Sequence, residues 1–204
     1  SICMGQHGGF DHNIQTLRIV TLIENKYYKF HGLNLTIETL DGLIKHNGPV
    51  KNLANFKKIF GKDVFRNKIV FNTYPSLEAQ VAAISDDIAY NNHDLEDGLR
   101  ADLFSIKKIA SIPHISKLIN RHLKNIKNFR REIIISQIVR DLINLMVVDV
   151  INTTKKNLKL CNPRTINDIY KQDRLLVDFS DKMKKIDKQI KEFLKYNMYN
   201  HKKV

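Results

Sequence analysis

The chain has 204 residues, 43% of them apolar, and 34 Lys and Arg against 21 Asp and Glu give it a formal net charge of +13. That length and apolar content allow one sizeable core, and the reading is a single helical domain over residues 1–204. Eight Gly and four Pro are too few for a turn-rich β-sandwich, and no apolar run nears the ~18 residues of a membrane span, so an all-α, cytoplasmic chain that touches no membrane is expected.

In chain order, Ile14, Leu17, Val20, Leu22 and Ile23 recur at helical spacing and predict a helix from His12 to Tyr27. Asp11 can cap its start, and Gly8 and Gly9 allow a tight entry. Asn34-Leu35-Thr36 offers capping residues for a short helix through Leu40, Leu43 and Ile44, ending at Asn47-Gly48-Pro49. A brief helix is expected over Asn52 to Phe60. Gly61 to Thr73 reads as irregular, with Val64, Ile69, Val70 and Phe71 extended or packed in a loop.

Ser76 then caps a long helix with Glu78 in its first turn, and Leu77, Val81, Ile84, Ile88 and Leu95 mark its buried side. This helix also carries Asp86, Asp87, Asp94, Glu96 and Asp97, with no Lys or Arg among them until Arg100. Acids on a helix that must bury a face are costly unless a cation, hydrogen bonds or solvent compensates them. Beyond Gly98 the pattern predicts helices over 102–111, 114–128, 130–154, 174–182 and 183–199. Ile133 to Val150 is the most apolar of these and is expected to be a central buried helix, and Cys161-Asn162-Pro163 marks a break.

Charge is unevenly placed. Residues 1–100 hold equal numbers of acids and bases, so residues 101–204 carry the whole excess. A basic half suits nucleic acid, nucleotide phosphates or an anionic surface, although Lys-rich composition throughout the chain accounts for it equally. Cys3 and Cys161 lack metal or redox spacing, which fits free thiols in a reducing compartment.

Two constellations carry chemistry. Asp86, Tyr90 and Asp94 stand at i, i+4 and i+8, near one helix face with a drift of roughly 40° per step. A carboxylate there can take Mg²⁺, Mn²⁺ or Fe²⁺, the ring can lie against a sugar, and the second carboxylate can accept from a hydroxyl. The same spacing equally describes a solvated polar face. At the front, His12 and Gln15 project from the first turns of a helix. A histidine at such a place can contact phosphate or act as a general acid, because imidazoles as a class titrate near neutrality; an exposed capping segment has the same pattern.

Taken together, GGFDHN-x-Q-x-LRI, GLNLT-x-ETL-x-GL-x-KHNGP and YPSLEAQVA-x-x-SDDIAYNNHDLEDGLRA resemble the deoxyguanosinetriphosphate triphosphohydrolase-like proteins of the HD superfamily. The resemblance runs in order from Gly8 to about Asn200. It is densest in the first hundred residues and returns in RREIIISQIVRDLINLMVVDVI and the closing KEFLKYNMYNHKKV. It implies an HD-domain-like helical bundle and a hydrolase that splits a deoxynucleoside triphosphate into deoxynucleoside and triphosphate with a divalent metal (Mg, Mn or Fe). It further implies that Asp86 is a metal ligand, that Tyr90 packs against the deoxyribose and that Asp94 accepts from its 3′-hydroxyl. His12 is implied as proton donor beside the phosphates, with Gln15 among the substrate-binding residues, and full-length relatives are implied to be homo-oligomers.

The family's other metal ligands, a His and a His-Asp pair, belong before the GGF segment. Residues 1–7, SICMGQH, contain no His-Asp, and the single His-Asp dipeptide, His93-Asp94, lies downstream of Asp86 on the same helix. The resemblance therefore implies a chain incomplete at its N-terminus, with metal binding weak or absent and no activity alone. The alternatives are a non-catalytic nucleotide- or nucleic-acid-binding helical module and a purely structural helical remnant.

Overall fold

The computed structural model describes residues 3–7, 9–51, 53–60, 68–124 and 127–201; Gly8, Asn52, Gly61 and Val64, named above, lie outside them, as do the rest of 61–67 in the expected irregular stretch and 125–126 in the expected helix over 114–128. The fold is all-α: 64% of the described residues are helical and none is in a strand. None of the helices among the described residues is long and apolar enough to cross a membrane. The chain forms two compact units, one from residues 1–83 and 162–176, the other from residues 84–161 and 177–204.

In the first unit α1 runs His12–Arg18, capped as expected by the Asp11 carboxylate, which accepts the Ile14 N–H at 2.9 Å. It widens into a π-helical turn over Ile19–Ile23 and stops there, short of Tyr27. Two contacts end it. The Thr21 hydroxyl donates back to the Leu17 carbonyl at 2.7 Å, and the returning chain gives its Leu33 N–H to the Val20 carbonyl at 2.8 Å. Gly32 makes that return possible: it sits at φ +70°, and a Cβ there would lie 2.6 Å from the Val20 and Thr21 carbonyl oxygens.

Helices α2 (Ile37–Ile44) and α3 (Ala54–Phe60) complete this core, α2 capped by Thr36. Leu17, Leu40, Ile44, Phe56, Phe60 and Ile69 form one buried cluster, each side chain contributing about 1.5–3 kcal/mol by leaving water. The expected irregular stretch thus supplies a core residue, Ile69, and Phe71 packs its ring edge-on against Phe56 at 5.0 Å.

The same unit contains a short helix that hydrophobic spacing did not reveal, α8 (Ile166–Tyr170). The Asp168 carboxylate reaches back to the N–H groups of Arg164 and Thr165 at 2.9 and 2.8 Å. Gln80 accepts the Leu176 N–H and donates to the Pro75 carbonyl, both at 2.9 Å. Gln80 is therefore buried, while its neighbour Val81, expected on the buried side, is 49% exposed. The polar residue takes the inward position because it ties down two backbone groups, one from Leu176 and one from Pro75.

Helix α4 is a single 24-residue helix, Leu77–Arg100, started by Ser76 as expected, whose hydroxyl accepts the Ala79 N–H at 3.3 Å. Its later residues Ile88, Leu95 and Leu99 are buried in the second unit. Gly98 is required there, since a Cβ would lie 2.4 Å from the Phe104 ring, which itself packs edge-on against Phe193 at 4.9 Å. Asp102 at φ +54° turns the chain, so α5 is only Ile106–Ile109 rather than a helix over 102–111. Helix α6 spans Ser116–Leu123.

Helix α7 runs Arg131–Cys161, seven residues beyond the expected end, because nothing breaks it before Asn162, at φ +43° and followed by Pro163. It is buried along Ile134, Ile135, Ile138, Val139, Leu142, Met146 and Val150. Contrary to the central buried helix expected over Ile133 to Val150, it also has an exposed apolar side, with Leu145, Val147, Val148 and Ile151 exposed. The expected helix over 174–182 does not form. Ser180 commits its N–H and its hydroxyl to the two Asp149 carboxylate oxygens, at 2.8 and 2.7 Å, and so becomes the cap from which α9 (Asp181–Leu194) begins.

Candidate functional site

The acidic row lies on the exposed side of α4 within the second unit. Asp86 and Asp87 are exposed, Tyr90 is 60% exposed, and Asp94 is half-buried. Solvent rather than burial accompanies most of these carboxylates, so an acid-rich helix here costs little.

The row is faced by side chains from the end of α9, which sequence spacing did not single out. Beyond Leu194 that helix widens into a π-helical turn, Lys195–Tyr199, closed by the Asn200 N–H on the Lys195 carbonyl at 3.1 Å. From it the Tyr199 hydroxyl donates to the Asp94 carboxylate. Burial, then the Asp94 carboxylate and the Tyr90 hydroxyl, push the Tyr199 hydroxyl well above the usual phenol range, so it stays a donor at neutral pH. Tyr90, Asp94 and Tyr199 thus form one exposed hydroxyl–carboxylate cluster.

One turn along, Lys191 stands 3.6 Å from the Asp87 carboxylate and 3.0 Å from that of Asp187. Burial lowers the affinity of Lys191 for its proton, but Asp187 and Asp87 outweigh it and raise the net value, so the ammonium persists. Asp187 also accepts from the buried Asn91 amide at 2.8 Å, which fixes α9 against α4 at this point. The one sequence signal for Tyr199 was the closing KEFLKYNMYNHKKV, in which no residue had been given a role.

His12 and Gln15 belong to the first unit. His12 is exposed at the start of α1, its Nδ1 3.4 Å from the Asn13 side-chain oxygen, and Gln15 accepts from Arg18 at 3.1 Å. Beside them a cavity of about 240 Å³ is lined by Asp11, Asn13 and Ile14 from the first motif and by Asn47, Gly48 and Pro49 from the second. Two of the three motifs read in the sequence therefore meet at one place.

Among the described residues no three His, Cys, Asp or Glu side chains gather into a group that could hold a metal ion. Asp86 brings a single carboxylate, and even hard cations that keep several waters take further ligands. The described residues do not by themselves fit a metal centre.

No family model matches the chain. Curated relatives do, over nearly all of it. A deoxyguanosinetriphosphate triphosphohydrolase-like protein of Pelagibacter ubique is 52% identical over 202 residues, covering 99% of this chain and 54% of the relative. Proteins of the same name from Parvibaculum lavamentivorans and a Bradyrhizobium species are 42% and 39% identical, each over 99% of this chain and 52% of its own length. The chain spans about half the length of the curated relatives it matches. Over that half, it belongs with the deoxyguanosinetriphosphate triphosphohydrolase-like proteins.

Proposed function

We propose that this chain contributes the deoxyribose-recognising part of a deoxynucleoside triphosphate triphosphohydrolase and does not hydrolyse nucleotide alone. The observation that carries the reading is the Tyr90–Asp94–Tyr199 cluster. An exposed aromatic face beside a carboxylate held by a protonated phenol suits a flat, hydroxyl-bearing sugar. Asp94 would accept from the 3′-hydroxyl while the Tyr90 ring packs on the sugar. Tyr199 is a positioning residue that fixes the carboxylate. By the family resemblance, His12 would donate a proton beside the phosphates, Gln15 would bind substrate, and Asp86 would be one ligand of a divalent metal. Such a metal would activate a water and polarise phosphate, and Asp86 is the one residue of this chain that the resemblance assigns to it.

Hydrolysis asks for ligands that these residues do not bring, so binding and turnover should separate. Chain incubated with each deoxynucleoside triphosphate and Mn²⁺ is expected to release no triphosphate, while saturation-transfer NMR detects deoxynucleoside contact that Tyr90→Ala abolishes. Triphosphate release by the chain alone would overturn the inactivity, and contact unaffected by Tyr90→Ala would overturn the site.

A further inference from the structure

Within the first unit, α2, the first turns of α4 and the start of α8 leave between them a cavity of about 550 Å³, a size typical of ligand pockets. Its floor is apolar and built from small residues. Gly42 lets α2 and α4 approach, since a Cβ there would lie 2.9 Å from the Ala79 Cβ, and Ala79 and Ala82 add only methyl groups. Ile166 lines one side and is 46% exposed. Two carboxylates stand at the same cavity, Glu38 from α2 and Glu78 from α4, and His46 is the remaining ionisable residue of its lining.

These two carboxylates lack a cation. The N–H of Glu38 itself, then the Thr36 hydroxyl, hold the Glu38 carboxyl below the usual glutamate range. Burial first, then Asp41, Glu38 and Glu78, push the Tyr170 hydroxyl above the usual phenol range, so the fields of both glutamates overlap there. The Lys45 ammonium is held by Asp41 at 2.6 Å, and among the described residues neither Glu38 nor Glu78 has an ion pair. An apolar floor beneath two such carboxylates is complementary to a cationic head on an aliphatic stem, as Lys and Arg carry.

We infer that this cavity seats a basic side chain from the part of the relatives' length that this chain does not span, with its stem on Gly42, Ala79 and Ala82 and its charge between Glu38 and Glu78. The inference rests on the reading of the chain as one part of a larger hydrolase. Nearly half of the Pelagibacter ubique relative lies outside the matched region, and within one polypeptide that stretch is held at high effective concentration against the matched one. A second copy fits less well, because a two-fold contact at the cavity would set Glu38 and Glu78 against their own copies. A metal ion or a small amine would leave the apolar floor wet.

Two measurements test this. The first titrates N-butylguanidinium into the ¹⁵N-labelled 204-residue chain, and amide shifts are expected at Glu38, Gly42, Ala79 and Ala82. Guanidinium without the butyl stem is expected to bind at least about fivefold more weakly, and Glu38→Gln/Glu78→Gln to abolish both. Shifts that survive the double variant overturn the site. The second co-expresses the chain with the segment of the Pelagibacter ubique protein that has no counterpart in it. The segment is expected to co-purify, with retention falling at least about tenfold in the double variant and in Ala82→Trp, which fills the cavity. Glu24→Gln, a carboxylate of the same unit outside the lining, is expected to change nothing. Glu38, Glu78 and Ala82 are exposed, so circular dichroism should report unchanged helix content. No co-purification, or retention indifferent to both cavity variants, overturns the inference. So does a differently tagged copy of the chain retained through the same glutamates. Tyr90-dependent deoxynucleoside contact is expected to persist in the double variant; its absence from the parent chain overturns the sugar site alone.

Discussion

Two carboxylates on two helices show how different surroundings give one chemical group different work. Asp41 on α2 is 6% exposed, and Lys45, one turn on and 1% exposed, holds it at 2.6 Å. The same ammonium donates to the Thr73 hydroxyl at 2.8 Å and lies 5.2 Å from the centre of the Tyr170 ring. Nothing can reach this pair without unfolding what surrounds it, so its role is to lock residues of α2, the Thr73 turn and α8 into one arrangement. Asp94 on α4 is half-buried, takes its hydrogen bond from one tyrosine and stands beside the exposed ring of another. Its partner prepares it without enclosing it. A carboxylate enclosed by its partners organises the fold, and one oriented but open can organise a ligand.

The largest effect that would sharpen this comparison comes from Lys45→Met. It leaves Asp41 buried without its cation and is expected to cost about 3–5 kcal/mol of stability in urea unfolding, while Lys45→Met combined with Asp41→Leu costs clearly less. If the single and double variants unfold alike, the pair is not the lock described.

Next, Asp94→Ala should leave stability within about 0.5 kcal/mol of the parent yet weaken deoxynucleoside binding by about tenfold to a hundredfold, read by NMR titration. A large stability loss would place Asp94 with Asp41 instead. Tyr199→Phe keeps the ring and removes only the donor, so binding should weaken by a few-fold, in line with the ~0.5–1.5 kcal/mol of an ordinary hydrogen bond.

The smallest effect is a difference in acid behaviour within the first unit. Burial pushes the Asp41 carboxyl above the usual aspartate range despite Lys45, so the fold holds that proton more tightly than the unfolded chain does. Its ionisation opposes folding, and that opposition fades as pH falls through the raised value. The exposed Asp168 is held below the usual range by the N–H groups of Arg164 and Thr165. Its contribution is present above the ordinary aspartate value and is lost as pH falls through the lowered one. Carboxyl ¹³C shifts followed from pH 7 downward should show Asp41 protonating first; the reverse order would contradict the burial assigned to it.

What was legible in the sequence was whatever rests on neighbours a few residues away. Asp11, Thr36 and Ser76 start helices because each reaches an N–H three residues on, and Asn162-Pro163 ends one because proline constrains its predecessor. The all-α character follows from the same local signals. The row Asp86, Tyr90, Asp94 was legible as a row because helical spacing alone sets it. Its partner was not: Tyr199 is 105 residues from Asp94, and no periodicity reports a contact across that distance. Gln80 taking the inward place beside Val81 is likewise decided by Leu176, a residue far along the chain. Helix α7 misled for a related reason. Its apolar content suggested a central buried helix, but Leu145, Val147, Val148 and Ile151 are exposed among the described residues.

The wide turn at Lys195–Tyr199 has a further consequence. Asp87 and Asp94 are seven residues apart on α4, whereas the side chains that meet them, Lys191 and Tyr199, are eight apart. Two regular helices cannot match those counts, since the surplus residue would swing Tyr199 about 100° away from Asp94. The π-helical turn absorbs the surplus, as an inserted residue is absorbed in any helix that must keep its downstream phase. The π-helical turn at Lys195–Tyr199 therefore holds one residue more than a regular helix would need to bring Tyr199 to Asp94. Deleting a single residue from 195–198 would straighten the helix and still leave the tyrosine facing its carboxylate.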